Sequence, residues 1–249
     1  MLRRFFCSIL LVTVGASAAC AADLKLLTPG ALLSSLKVLL PEFQKQSGHK
    51  ITVTLSPALA VPKRLESEAF DIAILGQGAA RELEKQGKIV GATVVARSGV
   101  GAFVRRGDPK PDISDVDAFV RALRNAKVIT YSDPALGGSA SNYVAGLLAK
   151  LDTTGEIKAK TKLAVEYRSI ANIVAAGGVD IALNQITEIM ADPRLELIGP
   201  LPAPIQRYTN YSAGVVASSA HRSIGQDLIA FLGTPAAAKV MRSNGFEPK

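Results

Sequence analysis

The sequence predicts an α/β fold made of two doubly wound lobes joined by crossing hinge strands. Three observations predict it. A strand-loop-helix unit repeats three times between Leu24 and Gly87, and a second set follows between Val128 and Met190. Parallel sheets covered by helices are built from such alternation. The two sets are linked by apolar segments around 94–104 and 211–217 rather than by a polar linker, which predicts strands that pass from one lobe to the other. The implied division is a leader over 1–21, a first lobe from 22–98 plus 211–249, and an inserted second lobe over 99–210.

Leu24 to Leu27 reads as a short buried strand, turned by Thr28-Pro29-Gly30. From Ala31 to Gln46, Leu32, Leu36, Leu39, Leu40 and Phe43 recur at helical spacing, and Pro41 inside that pattern predicts a kink or a tightened turn. Ile51 to Leu55 alternates apolar residues with Thr, as a strand does, and Pro62 opens the next helix. Phe70 to Leu75 is the third strand, ending at Gly76-Gln77-Gly78, with a short helix over Arg81 to Gln86. Val94 to Val104 reads as the first crossing strand. In the second set, strands fall at Val128–Tyr131, Leu163–Tyr167 and Val179–Leu183, with helices over 117–124, 139–151, 169–176 and through Met190. Leu195 to Leu197 adds an edge strand, and Tyr211 to Ala217 returns to the first lobe. Helices over 224–232 and 235–244 complete the chain.

Arg3 and Arg4, the apolar run Phe5–Val14 and the small residues up to Ala19-Cys20-Ala21 have the order of a cleavable secretory signal, which predicts a periplasmic protein. Cys7 and Cys20 are the only cysteines and sit inside or beside that segment, so the mature chain is expected to have no disulfide and no thiol chemistry. Loss of Arg3 and Arg4 would lower the formal charge from +8 to +6. That excess suits an anionic partner, and equally it serves solubility. Lys and Arg are scattered, Trp is absent, and no basic run has interleaved aromatics, which argues against nucleic-acid binding.

Ligands of open α/β sheets bind beyond the carboxyl ends of the strands, where helix N-termini offer unpaired N–H groups. The loops at that edge supply the candidate ligand-binding residues Thr28, Gly30, Ala31, Ser56, Ala58, Gly137, Gly138, Ser139, Ser169, Ile170, Asn184 and Gln185. No catalytic residue, metal ligand or cofactor is expected. Gly76-Gln77-Gly78-Ala79-Ala80-Arg81 departs from a dinucleotide fingerprint at Arg81. Gly137-Gly138-Ser139-Ala140-Ser141 has the look of a nucleophile turn, but only His49 and His221 are present to serve a secreted serine hydrolase.

The order of elements, with Leu24–Leu32, Pro41-Glu42-Phe43, Phe70-Asp71-Ile72-Ala73-Ile74, Ser132-Asp133-Pro134-Ala135 and Thr234-Pro235-Ala236-Ala237 to Asn244-Gly245-Phe246, resembles the periplasmic molybdate-binding proteins of ABC transporters, which are class II solute-binding proteins. The resemblance implies a monomer that captures a small anionic solute in an interlobe cleft, closes on it and delivers it to an inner-membrane ABC permease. The positions that carry hydroxyl donors in that family fall here at Ala31, Ala58 and Gln185, so a small carboxylate stands beside a molybdate-like oxyanion as the expected ligand. A ligand sensor with no permease is the alternative.

Overall fold

The computed structural model describes residues 21–166 and 168–247. The expected signal segment lies outside the described residues except for Ala21. One continuous sheet runs through the molecule. The strands are β1 (Asp23–Thr28), β2 (Lys50–Leu55), β3 (Ile72–Gly76), β4 (Ile89–Arg105), β5 (Ile129–Ser132), β6 (Thr161–Ala164), β7 (Ile181–Gln185), β8 (Leu195–Pro200) and β9 (Tyr208–Val216). Their order is β2-β1-β3-β9-β4-β7-β5-β6, with β8 paired to β4.

The sheet has two halves because β4 changes partners. Its first part, Ile89 to Gly99, runs antiparallel to β9, and its last part, Val100 to Arg105, runs antiparallel to β7 and β8. The parallel pairs β1–β2 and β1–β3 belong to the first half, and β5–β6 and β5–β7 to the second.

Helices cover both faces of each half, as the alternation of side chains along a buried strand demands. In the first half, Leu24, Leu26, Ile72 and Ile74 face α1 (Leu33–Ser47), α9 (Arg222–Leu232) and α10 (Pro235–Ser243). Leu27, Ala73 and Leu75 face α2 (Val61–Ser67) and α3 (Gln77–Lys85). In the second half, Ile129, Ile181 and Leu183 pack with α4 (Val116–Asn125), α5 (Ser139–Leu151) and α6 (Glu156–Ala159). Phe103 and Ala182 pack with α7 (Ile170–Ala175) and α8 (Ile186–Ile189). Capping side chains set two of these starts. Asp115 accepts from the Ala118 N–H at 2.7 Å, and Thr234 accepts from the Ala237 N–H at 3.2 Å ahead of Pro235.

Several expected boundaries move. Helix α1 continues through Pro41 with no change of helix type, and Leu40 and Phe43 on either side stay buried. Gln77 and Gly78 form the first turn of α3 rather than a loop, because Gly76 is extended and hands the strand directly to the helix. The strand expected at Leu163–Tyr167 lies at Thr161–Ala164. It is an edge strand whose Lys162 and Leu163 are exposed, so no apolar alternation marks its start. Helix α6 begins after Gly155 at φ 81° and has only four residues, too few for a periodic signal.

The crossing strand is tightly walled. A Cβ placed on Gly101 would lie 2.8 Å from Ile186 Cγ1 and 3.0 Å from the Gly199 carbonyl oxygen. The second contact is main chain in a paired strand and cannot rotate away. Gly101→Ala is expected to lower stability by about 1–3 kcal/mol, measured by chemical denaturation, with the secondary structure retained.

Candidate functional site

A cavity lies between the two halves, at the carboxyl ends of β1, β5 and β7. It is lined by Pro29 and Gly30 after β1, by Ala58 after β2, by Ser132 at the end of β5, and by Leu136 and the start of α5. Arg168, Asn184, Gln185, Glu188 and Tyr211 complete the wall. The volume is about 40 Å³. At roughly 10–15 Å³ per water on this measure, the space fits one compact polar group such as a single carboxylate. Two larger depressions lie elsewhere on the second half, beside the turn at Lys110 to Asp112, and share none of the cleft loops.

One source of positive potential is the N-terminus of α5. Its N-cap is Gly138, which has no capping side chain, and Ser139, Ala140 and Ser141 line the cavity. The first N–H groups of a helix have no partner inside it, and the helix dipole adds a partial positive charge there. Ser141 Oγ donates to the Gly138 carbonyl at 2.9 Å, so of the two serines Ser139 has the hydroxyl left for a ligand. A second helical start faces the same space, where Pro29-Gly30 leads through a 3-10 turn into α1.

Arg168 is the formal cation in the wall. Its backbone φ is 65°, the left-handed region, and it is the only non-glycine residue at positive φ among those described. Such a conformation costs of order 1–3 kcal/mol for a residue with a Cβ, and strain of this kind concentrates at binding sites. Opposite in charge stands Glu188, on α8. Asn184 Nδ2 donates to its Oε2 at 3.1 Å. Burial pushes the Glu188 carboxyl pKa up, and the Arg168 charge and the Asn184 hydrogen bond only partly offset this.

Six of the residues expected from sequence meet at this cavity: Gly30, Ala58, Gly138, Ser139, Asn184 and Gln185. The other six do not line it. Thr28 is fully buried, with its hydroxyl on the Pro29 carbonyl, and Ala31 packs in the core of the first half. Ser56 is buried beneath the loop that carries Ala58, and Ile170 packs in the core of the second half. Ser169 Oγ donates to the Glu166 carbonyl at 2.8 Å. Gly137, at φ 75°, accepts a hydrogen bond from the Leu59 N–H at 3.1 Å and so links the two halves through main-chain atoms alone.

Gln185 lines the cavity, but its side chain is engaged elsewhere. Its amide nitrogen donates to the carbonyls of Ser98 and Gly99, at 2.6 and 3.1 Å, on the stretch where β4 changes partner. It therefore has no N–H left for an anion. Arg168, Glu188 and Tyr211 escaped the sequence reading. The loop with Arg168 stood out there for its small neighbour Ser169, whereas Glu188 sits in a helix and Tyr211 in a strand. An isolated acid at the start of an apolar four-residue helix was the one signal for Glu188.

Neither His49 nor His221 lines the cavity, so Ser139 has no histidine base there. No group of three potential metal ligands occurs among the described residues, and none of the helices described is long and apolar enough to cross a membrane. Gln185→Leu should lower stability by about 1–3 kcal/mol for each carbonyl left unpaired. Differential scanning calorimetry of the ligand-free protein would show it.

The chain is 28% identical over 233 residues to an aconitate isomerase from Pseudomonas sp, covering 90% of this chain and 87% of that protein. It is 26% identical over 259 residues to the molybdate-binding protein ModA of Azotobacter vinelandii, covering 97% and 98%. The solved structure of the Azotobacter vinelandii periplasmic molybdate-binding protein superposes with a TM-score of 0.74 at 18% identity, over 91% of this chain and 99% of that one. The fold is thus the two-lobed α/β fold of periplasmic binding proteins. The family model for bacterial extracellular solute-binding proteins matches residues 24–247, and the chain belongs to that family.

Proposed function

We propose that this protein is a periplasmic receptor that captures a small anion, and that a carboxylate is its preferred ligand. The observation that carries the reading is that the α5 N-terminus and Arg168 line the same small cavity. Guanidinium and carboxylate match as two parallel hydrogen bonds, and main-chain N–H groups would take the remaining oxygen lone pairs. A carboxylate is favoured over a tetrahedral oxyanion because Ser139 is the one hydroxyl of the α5 turn left for a ligand. The relative that acts on aconitate supports the same choice, while the molybdate-binding relative supports the oxyanion.

In this reading the halves act as lobes, bounded near 98/99 and 210/211, and closure brings Ala58 and Gly30 onto a ligand first held by the α5 turn. The reading includes delivery to an inner-membrane ABC permease and action as a monomer.

One feature favours a second reading, in which the site also isomerises its ligand. Glu188 is a carboxylic acid in the wall whose pKa burial has raised, the type of group that can take and return a proton between two carbons. Such a shift consumes no co-substrate. Incubation of aconitate with the protein in deuterated water, followed by proton NMR, tests it. A new isomer or loss of the C–H signal supports turnover, and an unchanged spectrum leaves binding alone.

The binding reading is tested by thermal shift and calorimetry with molybdate, tungstate, sulfate, phosphate and small carboxylates including aconitate. A ligand present at about 100 times its Kd stabilises by roughly 2.7 kcal/mol. Arg168→Gly separates charge from strain. It should weaken anion binding about tenfold or more while leaving the ligand-free melting temperature equal or higher, because glycine accepts the positive φ. Unchanged affinity would remove Arg168 from the site.

A further inference from the structure

We infer that the Glu188 carboxyl carries a proton when the cavity holds an anion and donates it to that anion, so that each ligand enters together with about one proton. The inference rests on the anion reading of the cleft and adds the form in which the anion is accepted.

The geometry leads to it directly. Glu188 shares a 40 Å³ space with the α5 turn, so an anion seated there lies close to the carboxyl. Two negative charges at that distance in a cavity with little water repel strongly. Asn184 gives the carboxyl one hydrogen bond at 3.1 Å. Among the described residues Glu188 takes part in no ion pair.

The charged groups around α8 do not change this balance. From the loop before α7 comes Arg168, which acts on Glu188 through space and would be drawn to the ligand. From β9 comes Tyr211, the other titratable side chain in the cavity wall. On β4, Arg97 is paired with Glu247 and Arg105 with Asp108, and on β8 Glu196 is paired with Lys110. After α8, Asp192 is paired with Arg194. Neither β7 nor the turn at Gly30–Leu32 carries a titratable side chain. One carboxyl is left to answer the ligand's charge, and protonation turns it from a repelling acceptor into a donor.

The sign follows from linkage. A carboxyl whose pKa rises on binding takes up a proton, so affinity falls as pH rises above its value in the free protein, by up to tenfold per pH unit. Ligands already bearing a proton where they meet Glu188 would escape this penalty, which makes the residue a selector of protonation state.

The experiment is calorimetric titration with aconitate and, separately, with molybdate between about pH 7 and 9, where both probes hold a constant charge. Each titration is run in two buffers of different ionisation enthalpy. The expected result is weaker binding with rising pH and an uptake approaching one proton per anion. Glu188→Gln, which keeps a donor at every pH, should abolish the uptake and bind at high pH as tightly as the parent does at low pH. Glu188→Ala should abolish the uptake without restoring affinity. Binding of either probe with a flat pH profile and no uptake overturns the inference while the anion reading stands. Failure of every anion to bind at any pH overturns the anion reading itself.

Discussion

The whole architecture depends on a single 17-residue strand that serves both halves of the sheet. Strand β4 pairs with β9 as far as Gly99 and with β7 and β8 from Val100 onward. A strand cannot change partners without exposing carbonyls at the switch, and buried carbonyls must be paired. Here those of Ser98 and Gly99 are taken by Gln185, and Gln206 meets both the N–H and the carbonyl of Val100 at 3.0 Å. The hinge region is therefore held by two glutamine side chains that return to the crossing strand. The position of every loop around the cleft follows from that junction, because the carboxyl ends of β1 and of β5 and β7 face each other across it.

The cleft combines charges of unequal mobility. The α5 N-terminus is a fixed dipole, pinned by thirteen residues of helix and by the packing of Val144 and Leu148. Arg168 is a long, exposed side chain on a strained turn, with reach to follow a ligand if the lobes close as proposed. Glu188 is fixed in place but variable in charge. In the proposed receptor, a fixed dipole, a mobile cation and a titratable acid around one small space would distinguish ligands by charge and proton content as well as by shape. The +8 formal charge of the chain suits an anionic partner in general, and in that proposal these three groups would select among anions.

The two-lobed fold was legible in the sequence because it is written in apolar periodicity. Ile72-Ala73-Ile74-Leu75 has to be a strand buried on both faces, and Leu32 to Phe43 has to bury one stripe of a helix. Of the candidate site, half of the expected residues line the cavity. Loops rich in Gly and Ser after strands pointed to Gly30, Ala58, Gly138 and Ser139, since local chain chemistry is the same whether the loop binds or only turns. The use made of each side chain was not legible. Gln185 reads as a polar residue at a strand end, and only the three-dimensional register reveals that its amide serves Ser98 and Gly99. Glu188 and Arg168 are twenty residues apart in sequence, and their meeting across the cavity is a property of the packing of α8 against β4 and β8.

The bond from the Leu59 N–H to the Gly137 carbonyl joins the lobes without using a side chain. It uses main-chain atoms only, so it does not depend on the side chain at either end so long as the left-handed turn at 137 is kept. If the lobes close on a ligand as proposed, this clasp would add the same contribution for every ligand. Discrimination would then rest with the wall residues, which could be exchanged without disturbing the means of shutting.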